Sequence, residues 1–251
     1  MLIGARQDCV AGGQDVSEKM AILRRMGLDF LELAMTREEI AGIASLPVDT
    51  YVAAVEQTGL PIRSTSMGHF GGFGTMEPAA RAEIVDQIRG LIDWTRAIGA
   101  DAILLATRED GTHVEEYAGV YHEMLLPVAD AARDAGVTLC LEHVGWYKPH
   151  VLAKLVAAIG HPAIGIYFDM GNCLYVGESP LEQARTCAPL VAQLHIKGGP
   201  TTPLGAMPLQ HVREILEGAG FRGRGCLEIE PRAGDRHLAE ARGLLKMAGY
   251  C

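Results

Sequence analysis

Short apolar runs alternate with stretches of helical character along the chain, and a glycine stands shortly before most of these runs. Gly27 precedes the run at 30–33, and Gly136 precedes the run at 137–141. Glycine just past a helix end adopts the left-handed conformation that terminates helices at little steric cost. The runs are short and nearly continuous, as expected of parallel strands that are buried on both faces. The pattern therefore predicts repeated units in which a helix ends at a glycine and leads into a buried strand.

The repeat supplies eight strands, predicted at 2–5, 30–33, 62–64, 102–105, 137–141, 164–168, 191–196 and 226–229. Eight helical stretches accompany them, at 15–26, 47–58, 78–98, 112–135, 149–159, 180–188, 207–219 and 235–249. In a chain of 251 residues, eight alternations favour a closed parallel barrel over an open doubly wound sheet. An open sheet more often carries a Gly-rich phosphate loop after its first strand, and residues 6–13 contain no G-x-G-x-x-G motif. We therefore predict an α/β fold, a (β/α)8 TIM barrel in which residues 1–251 form a single domain.

Composition and charge narrow the classes of protein that this chain can belong to. Apolar residues make up 49% of the sequence and charged residues 21%, which is typical of a globular protein with a large core. No apolar run approaches the ~20 residues of a membrane helix, and the first residues lack the pattern of a signal peptide. The six cysteines form no C-x-x-C pair and are expected to be reduced thiols. We therefore expect a cytoplasmic protein without a membrane partner. A net charge of −9 without a Lys/Arg cluster also argues against a nucleic-acid partner.

Polar residues close the apolar runs of the last four predicted strands. These residues are Glu142, Asp169, His195 and Glu228. The active sites of TIM barrels form at the C-terminal ends of the strands, so the four side chains are expected to converge. Three carboxylates in one place repel each other unless a cation joins them. Mixed oxygen and imidazole ligation suits Mn²⁺, Mg²⁺, Co²⁺, Fe²⁺ or Zn²⁺ better than Ca²⁺. We predict one divalent metal ion held by these four residues, with Mn²⁺ as the expected ion.

Four segments in the second half of the chain resemble the metal-binding strand ends of sugar isomerases and epimerases of the xylose-isomerase-like superfamily. The segments are LEH at 141–143, FDMGN at 168–172, LHIK at 194–197 and LE at 227–228. The resemblance is clearest from about residue 136 to 230. It implies a ketose, sugar phosphate or related polyol-derived substrate, from which a proton beside the carbonyl is removed through an enediolate with the help of a metal. Glu142 and Glu228 would then be both metal ligands and the catalytic acid/base pair.

The sequence departs from the ketose 3-epimerase pattern at several positions that contact substrate in that group. Gly198 follows Lys197 where many relatives have Asp, and Asn172 stands where ketose 3-epimerases typically have His. The substrate contacts are therefore expected to differ from those of a standard ketose 3-epimerase. The candidate substrate-binding residues are Glu32, His69, Trp146, Asn172 and Lys197. Each has a structural alternative, such as a salt bridge at the barrel mouth for Glu32, exposure in a loop for His69 and ordinary packing for Trp146.

Three other functions remain open at this point. A metal-dependent lyase or dehydratase, of the dehydroshikimate dehydratase or inosose dehydratase type, would share the barrel and the removal of the proton. An apurinic endonuclease would need a trinuclear zinc site, but Asn172 stands where such a site needs His and the fourth strand ends in Ala106 and Thr107. A non-catalytic binding protein would not require converging carboxylates. The expected partner is a small carbohydrate-like molecule, and a homo-oligomer remains possible.

Overall fold

Eight parallel strands close into a barrel in the computed structural model, which describes residues 1–73, 76–108, 114–144 and 148–250. The strands are Ile3–Arg6 (β1), Phe30–Met35 (β2), Ile62–Met67 (β3), Ala102–Arg108 (β4), Thr138–Val144 (β5), Ile164–Asp169 (β6), Val191–Ile196 (β7) and Gly225–Leu227 (β8). Each strand pairs with the next along the chain, and β8 pairs with β1 to complete the circle. The (β/α)8 barrel predicted from the repeat is thereby confirmed.

Helices follow the strands along the chain. They are Val16–Arg25 (α1), Arg37–Ala41 (α2), Val48–Thr58 (α3), Pro78–Ala97 (α4), Val114–Ala135 (α5), Pro149–Ile159 (α6), Met170–Tyr175 (α7), Pro180–Cys187 (α8), Leu209–Gly218 (α9) and Arg236–Met247 (α10). The eight predicted helical stretches each contain one of them, whereas the short helices α2 and α7 were not predicted. The helices α3 and α6 end at Gly59 and Gly160, which have positive φ angles of 66° and 62°. This is the left-handed helix ending on which the prediction of the repeat depended.

The barrel interior is lined by every second residue of the strands, because successive side chains of a strand point to opposite faces. Ala102, Leu104 and Ala106 of β4 form a small interior cluster with Cys140 of β5 and Tyr167 of β6. Two residues farther along β5 and β6 come Glu142 and Asp169, which therefore face the same interior at its C-terminal end. The alternation of the strands thus places polar side chains at the barrel mouth directly above an apolar interior.

Two further findings bear on the class of protein. Among the described residues, no helix has both the length and the apolar character needed to cross a bilayer. The five cysteines in the described part of the chain are free and buried, and they are Cys9, Cys140, Cys173, Cys187 and Cys226. Their state agrees with the prediction of reduced thiols.

Candidate active site

The four predicted metal ligands lie together at the C-terminal mouth of the barrel. Glu142 is on β5, Asp169 ends β6, His195 is on β7, and Glu228 directly follows β8. Their ligand atoms all lie within 4.8 Å of one another. Nδ1 of His195 is 2.8 Å from Glu142 Oε1, 3.2 Å from Glu228 Oε2 and 3.9 Å from Asp169 Oδ2. We call this set the four-residue centre.

The orientation of Asp169 depends on the short helix that follows it. Its Oδ1 atom accepts hydrogen bonds from the backbone N–H groups of Gly171 and Asn172, at 2.8 and 3.0 Å, and so caps the N-terminus of α7. Its Oδ2 atom remains on the side of the four-residue centre, 2.8 Å from Lys197 Nζ. A Cβ atom at position 171 would collide with the carbonyl oxygen of Gly198, so the close approach of these two loops requires glycine at 171.

Outside the four-residue centre, the carboxylate of Glu32 contacts Nε2, the other nitrogen of the His195 ring. Glu32 Oε1 is 2.9 Å from His195 Nε2, and Glu32 Oε2 accepts hydrogen bonds from Ser64 Oγ at 2.7 Å and from the Tyr167 hydroxyl at 2.6 Å. All four residues are buried. The Tyr167 ring also lies against the imidazole, with 4.3 Å between ring centroids. This network fixes the orientation of the imidazole and directs Nδ1 toward the four-residue centre.

Two cations flank Glu228. Lys197 Nζ lies 2.9 Å from Glu228 Oε2, and Arg6 Nη1 lies 3.0 Å from Glu228 Oε1. Arg6 also forms an ion pair with Asp8 at 2.9 Å. The sequence analysis predicted Lys197 as a site residue but missed Arg6. Arg6 directly follows the first apolar run, which is the same signal that identified the four predicted ligands.

Burial and neighbouring charges separate the pKa values of the two candidate acid/base residues. Burial raises the pKa of Glu142 to about 7, and the carboxylate of Glu228 adds to the rise against the opposing effect of His195. Burial also acts to raise the pKa of Glu228, but the cationic His195 and Lys197 outweigh it and hold this pKa well below its ordinary value. For His195, burial acts to lower the pKa, yet the surrounding carboxylates, Glu32 foremost, hold it well above the ordinary value. A bound cation would favour the ionised form of both glutamates.

The other predicted substrate-binding residues occupy different surroundings. Asn172 donates from Nδ2 to the carbonyl oxygen of His143 at 2.9 Å, which ties α7 to β5. His69 is half-buried in the stretch after β3. In the same stretch, Phe70 and Phe73 are buried against each other, with ring centroids 4.7 Å apart. Trp146 lies outside the described residues. Substrate contacts by these side chains remain predictions.

The described part of the chain contains two groups of three or more potential metal ligands within 4.8 Å of one another. One is the four-residue centre, and the other comprises Glu32, Cys226 and the same His195. Because Glu32 and Cys226 share His195 with the first group, the two groups are not independent.

Comparisons with known proteins identify a family with this fold. Residues 20–247 match the model of a family described as xylose isomerase-like TIM barrel. A segment of 99 residues is 26% identical to the uncharacterized protein YihM of Escherichia coli strain K12, a match that covers 39% of this chain and 30% of that protein. Under a third of that relative's length is therefore matched.

Solved structures with the same architecture include several named as sugar epimerases. The 3-keto-D-glucoside 4-epimerase YcjR from E. coli superposes with a TM-score of 0.81 over 98% of this chain and 99% of that chain. D-psicose 3-epimerase from Clostridium cellulolyticum H10, solved with D-tagatose, gives 0.80 over 100% of both chains. The IOLI protein, solved with a bound zinc atom, gives 0.78 over 99% and 96%. The sequence identity is 15% in each case, so these likenesses show the shared fold.

Proposed function

This chain belongs to the xylose isomerase-like TIM barrel family, and from that premise we propose that it is a sugar isomerase or epimerase that moves a proton at the carbon beside a carbonyl group. The observation that carries the proposal is the convergence of three carboxylates and one imidazole within 4.8 Å at the C-terminal mouth of the barrel. The sugar epimerases among the structural neighbours support it at the level of the fold.

We propose that the four-residue centre holds one divalent cation, with Mn²⁺ as the expected ion. The donor set fits such an ion, because three carboxylate oxygens and one imidazole nitrogen are ligands that Mn²⁺, Mg²⁺ and Zn²⁺ accept. The three carboxylates of the centre and that of Glu32 outnumber the permanently charged cations Lys197 and Arg6, so a dication would relieve the excess of negative charge. When bound, the cation would polarise the substrate carbonyl and make the neighbouring carbon more acidic.

The proton transfer is assigned to the carboxylates of Glu142 and Glu228. They come from β5 and β8, the first and last of the four contributing strands, so they approach the space beside His195 from different sides. One carboxylate would take the proton from carbon at its Oε atom, and the other would return a proton to the substrate. The ammonium group of Lys197, 2.9 Å from Glu228 Oε2, would stabilise the ionised form of that carboxylate and donate to a substrate oxygen.

Glu32 receives a positioning role in this proposal instead of the substrate contact that the sequence suggested. It is fully buried, and its oxygens are engaged by Ser64, Tyr167 and His195. It would therefore act through His195, whose ring it orients for ligation by Nδ1. Asn172 would act in a similar way, because its contacts hold Asp169 and α7 in place.

Proton exchange with solvent tests the function directly. Candidate keto sugars and inositol-derived ketones are incubated in deuterated water with Mn²⁺, and incorporation of deuterium beside the carbonyl is followed by NMR. The expected result is exchange by the wild type, with rates reduced at least about 100-fold in Glu142→Gln and Glu228→Gln. Glu123→Gln, at an exposed position of α5, is the matched control and should exchange normally. Exchange at the wild-type rate in both active-site variants would contradict the assignment. A product that has lost water would identify the lyase alternative.

A further inference from the structure

A large cavity adjoins the four-residue centre on the side of the last two strands. It has a volume of about 870 Å³ and is lined by Glu228 of that centre and by Lys197, which contacts Glu228. From there it extends between the stretch after β7, at Gly198–Gly205, and the stretch after β8, and it ends against α10. Glu228 thus belongs to both the cavity and the four-residue centre, so a ligand in the cavity lies directly beside that centre.

The size of the cavity exceeds what a single sugar ring requires. Pockets that enclose most of a drug-sized ligand have volumes of roughly 300–1,000 Å³. A monosaccharide is much smaller than such a ligand, whereas two linked sugar rings approach that size. A keto sugar that reaches Glu142 and Glu228 would therefore leave most of the 870 Å³ for a second unit attached to it.

The cavity offers an aromatic surface suited to a sugar ring. Tyr175, the last residue of α7, lines the cavity and is 58% exposed. Few large apolar side chains in the described part of the chain are so exposed. Leu204 and Leu244 contribute further apolar surface. Polar and charged side chains, among them Thr202, Glu230 and Arg232, share the lining with these apolar groups. A sugar ring presents an apolar C–H face and a rim of hydroxyl groups, which matches an aromatic face surrounded by polar groups.

The charges around the cavity disfavour an anionic substituent. In the part of the cavity beyond the four-residue centre, the two carboxylates of Glu230 and Glu240 face one cation, Arg232, and Asp8 is paired with Arg6. Lys197 is already engaged by two carboxylates of the four-residue centre, at 2.8 and 2.9 Å. A phosphate or carboxylate on the second unit would face this negative excess, whereas sugar hydroxyls can donate hydrogen bonds to the carboxylates.

From these observations we infer that the substrate is an uncharged keto sugar that carries a second sugar or aglycone, and that the cavity beside Tyr175 binds this second unit. The inference rests on the proposed function, because it assumes that the reacting sugar lies at the four-residue centre. It narrows the substrate class by excluding phosphorylated sugars and by preferring glycosides to free keto monosaccharides.

Matched substrates test the inference. One set has the ketone at carbon 2 (D-fructose, D-fructose 6-phosphate and maltulose), and the other has it at carbon 3 (3-keto-glucose, its 6-phosphate and its phenyl glycoside). Deuterium exchange with Mn²⁺ gives kcat/KM for each compound. In at least one set, the glycosylated member should exceed the free sugar by about tenfold or more, which is the effect of one added aromatic contact. The phosphate should not exceed the free sugar.

Two variants locate the preference in the cavity. Tyr175→Ala should lower the ratio of kcat/KM for the glycosylated sugar to that for the free sugar by about tenfold. Gly205→Phe should lower it as well, because a Cβ atom there points toward Leu244 across the cavity, with 3.7 Å to the nearest atom. Leu126→Ala, on the exposed surface of α5 and away from the cavity, is the control and should leave the ratio unchanged. Thermal unfolding curves verify that each variant is folded.

The outcomes separate the two proposals. Exchange of the free sugar at a rate equal to or above that of its glycoside in both sets would overturn the inference and leave the proposed function standing. Preference for a phosphorylated sugar would also overturn the inference alone. So would an unchanged ratio of kcat/KM for glycosylated to free sugar in both Tyr175→Ala and Gly205→Phe. Absence of exchange with every compound would count against the proposed function and the inference together.

Discussion

Replacement of Glu32 by Gln is the sharpest test of how the candidate metal centre is supported. The substitution keeps the shape of the side chain and removes its charge. Its amide oxygen can still accept from His195 Nε2, and the Ser64 and Tyr167 hydroxyls can turn to accept from the amide nitrogen. The hydrogen bonds can thus be rebuilt, so the main loss is the charge that holds the imidazole in place.

The expected effects of Glu32→Gln on Mn²⁺ affinity and on stability follow from the strength of the hydrogen bonds and ion pairs that Glu32 makes. A hydrogen bond to a charged group contributes roughly 1.5–3 kcal/mol and a neutral one about 0.5–1.5 kcal/mol. Loss of a partner that orients a metal-ligating histidine typically lowers metal affinity by roughly 10–100-fold, which corresponds to about 1.4–2.8 kcal/mol. The metal-free protein should lose less stability than the roughly 3–5 kcal/mol typical of a broken buried ion pair. The reason is that Glu142 and Glu228 still contact the imidazole, at 2.8 and 3.2 Å.

Calorimetric titration with Mn²⁺ measures the change in affinity, and urea unfolding of the metal-free protein measures the change in stability. Ser64→Ala is the matched control, because it removes one donor to the same carboxylate and leaves both the charge and the His195 contact. It should weaken Mn²⁺ binding by less than about threefold. If Glu32→Gln bound Mn²⁺ as tightly as the wild type, or if Ser64→Ala weakened binding equally, the charge of Glu32 would not be what orients the histidine.

Three further predictions concern the metal and the stability of the barrel. Metal analysis after dialysis should find one divalent ion per chain, and both Glu142→Gln and His195→Ala should lower this stoichiometry. Three tightly bound zinc ions would contradict the four-residue centre. Asp235 has a φ angle of 55° and accepts from the backbone N–H of Ala11 at 2.7 Å, which joins the stretches after β8 and β1. Asp235→Ala should therefore cost roughly 1–3 kcal/mol of unfolding free energy in urea, and Asp235→Asn less, since Asn tolerates this conformation and retains an acceptor; equal losses would refute the role of the acceptor. The pKa of Glu178 is lowered from 4.5, mainly by its hydrogen bond from Lys148. Its contribution to stability should be present above pH 4.5 and disappear as the pH falls through the lowered pKa, so the stability difference between wild type and Glu178→Gln should shrink in acid; a difference that grows there would show the opposite sign.

The fold and the four-residue centre were predictable because both depend on local patterns. Each apolar run marks a strand, and the polar residue at its end marks the barrel mouth, which is how Glu142 and His195 were found. The role of Glu32 could not be predicted in the same way, since Glu32 and His195 are 163 positions apart along the chain. Their contact depends on the closure of the barrel and on the burial of Tyr167 between the strands. Arg6 shows the same limit, because a charged residue at a strand end does not reveal which side chain it will contact.

The departures from the ketose 3-epimerase pattern have a structural reason that the sequence did not reveal. Asn172 Nδ2 binds the carbonyl of His143, and its backbone N–H binds Asp169, so this position supports the fold of α7. The backbone of Gly198 packs against Gly171 and the turn at Thr202. At both positions where the chain departs from its relatives, the residues are here engaged in holding loops together. Our proposal accordingly assigns substrate selection to the cavity beside Tyr175.

Introduction of the aspartate that many relatives carry after the lysine tests this explanation. A Cβ atom at Gly198 would collide with the carbonyl oxygen of Thr202, the same oxygen that accepts a hydrogen bond from Gly199 at 2.8 Å. Because both atoms in conflict are backbone or fixed to it, the turn must open, and Gly198→Asp should cost roughly 1–3 kcal/mol of unfolding free energy. It should also weaken Mn²⁺ binding, since Lys197 and Asp169 contact each other beside this turn. Gly243→Asp on α10 has no atom within 4 Å of the added Cβ and should change the stability by less than about 0.5 kcal/mol. If urea unfolding gave equal stabilities for the two variants, the packing of Gly198 would not explain why this chain lacks the aspartate.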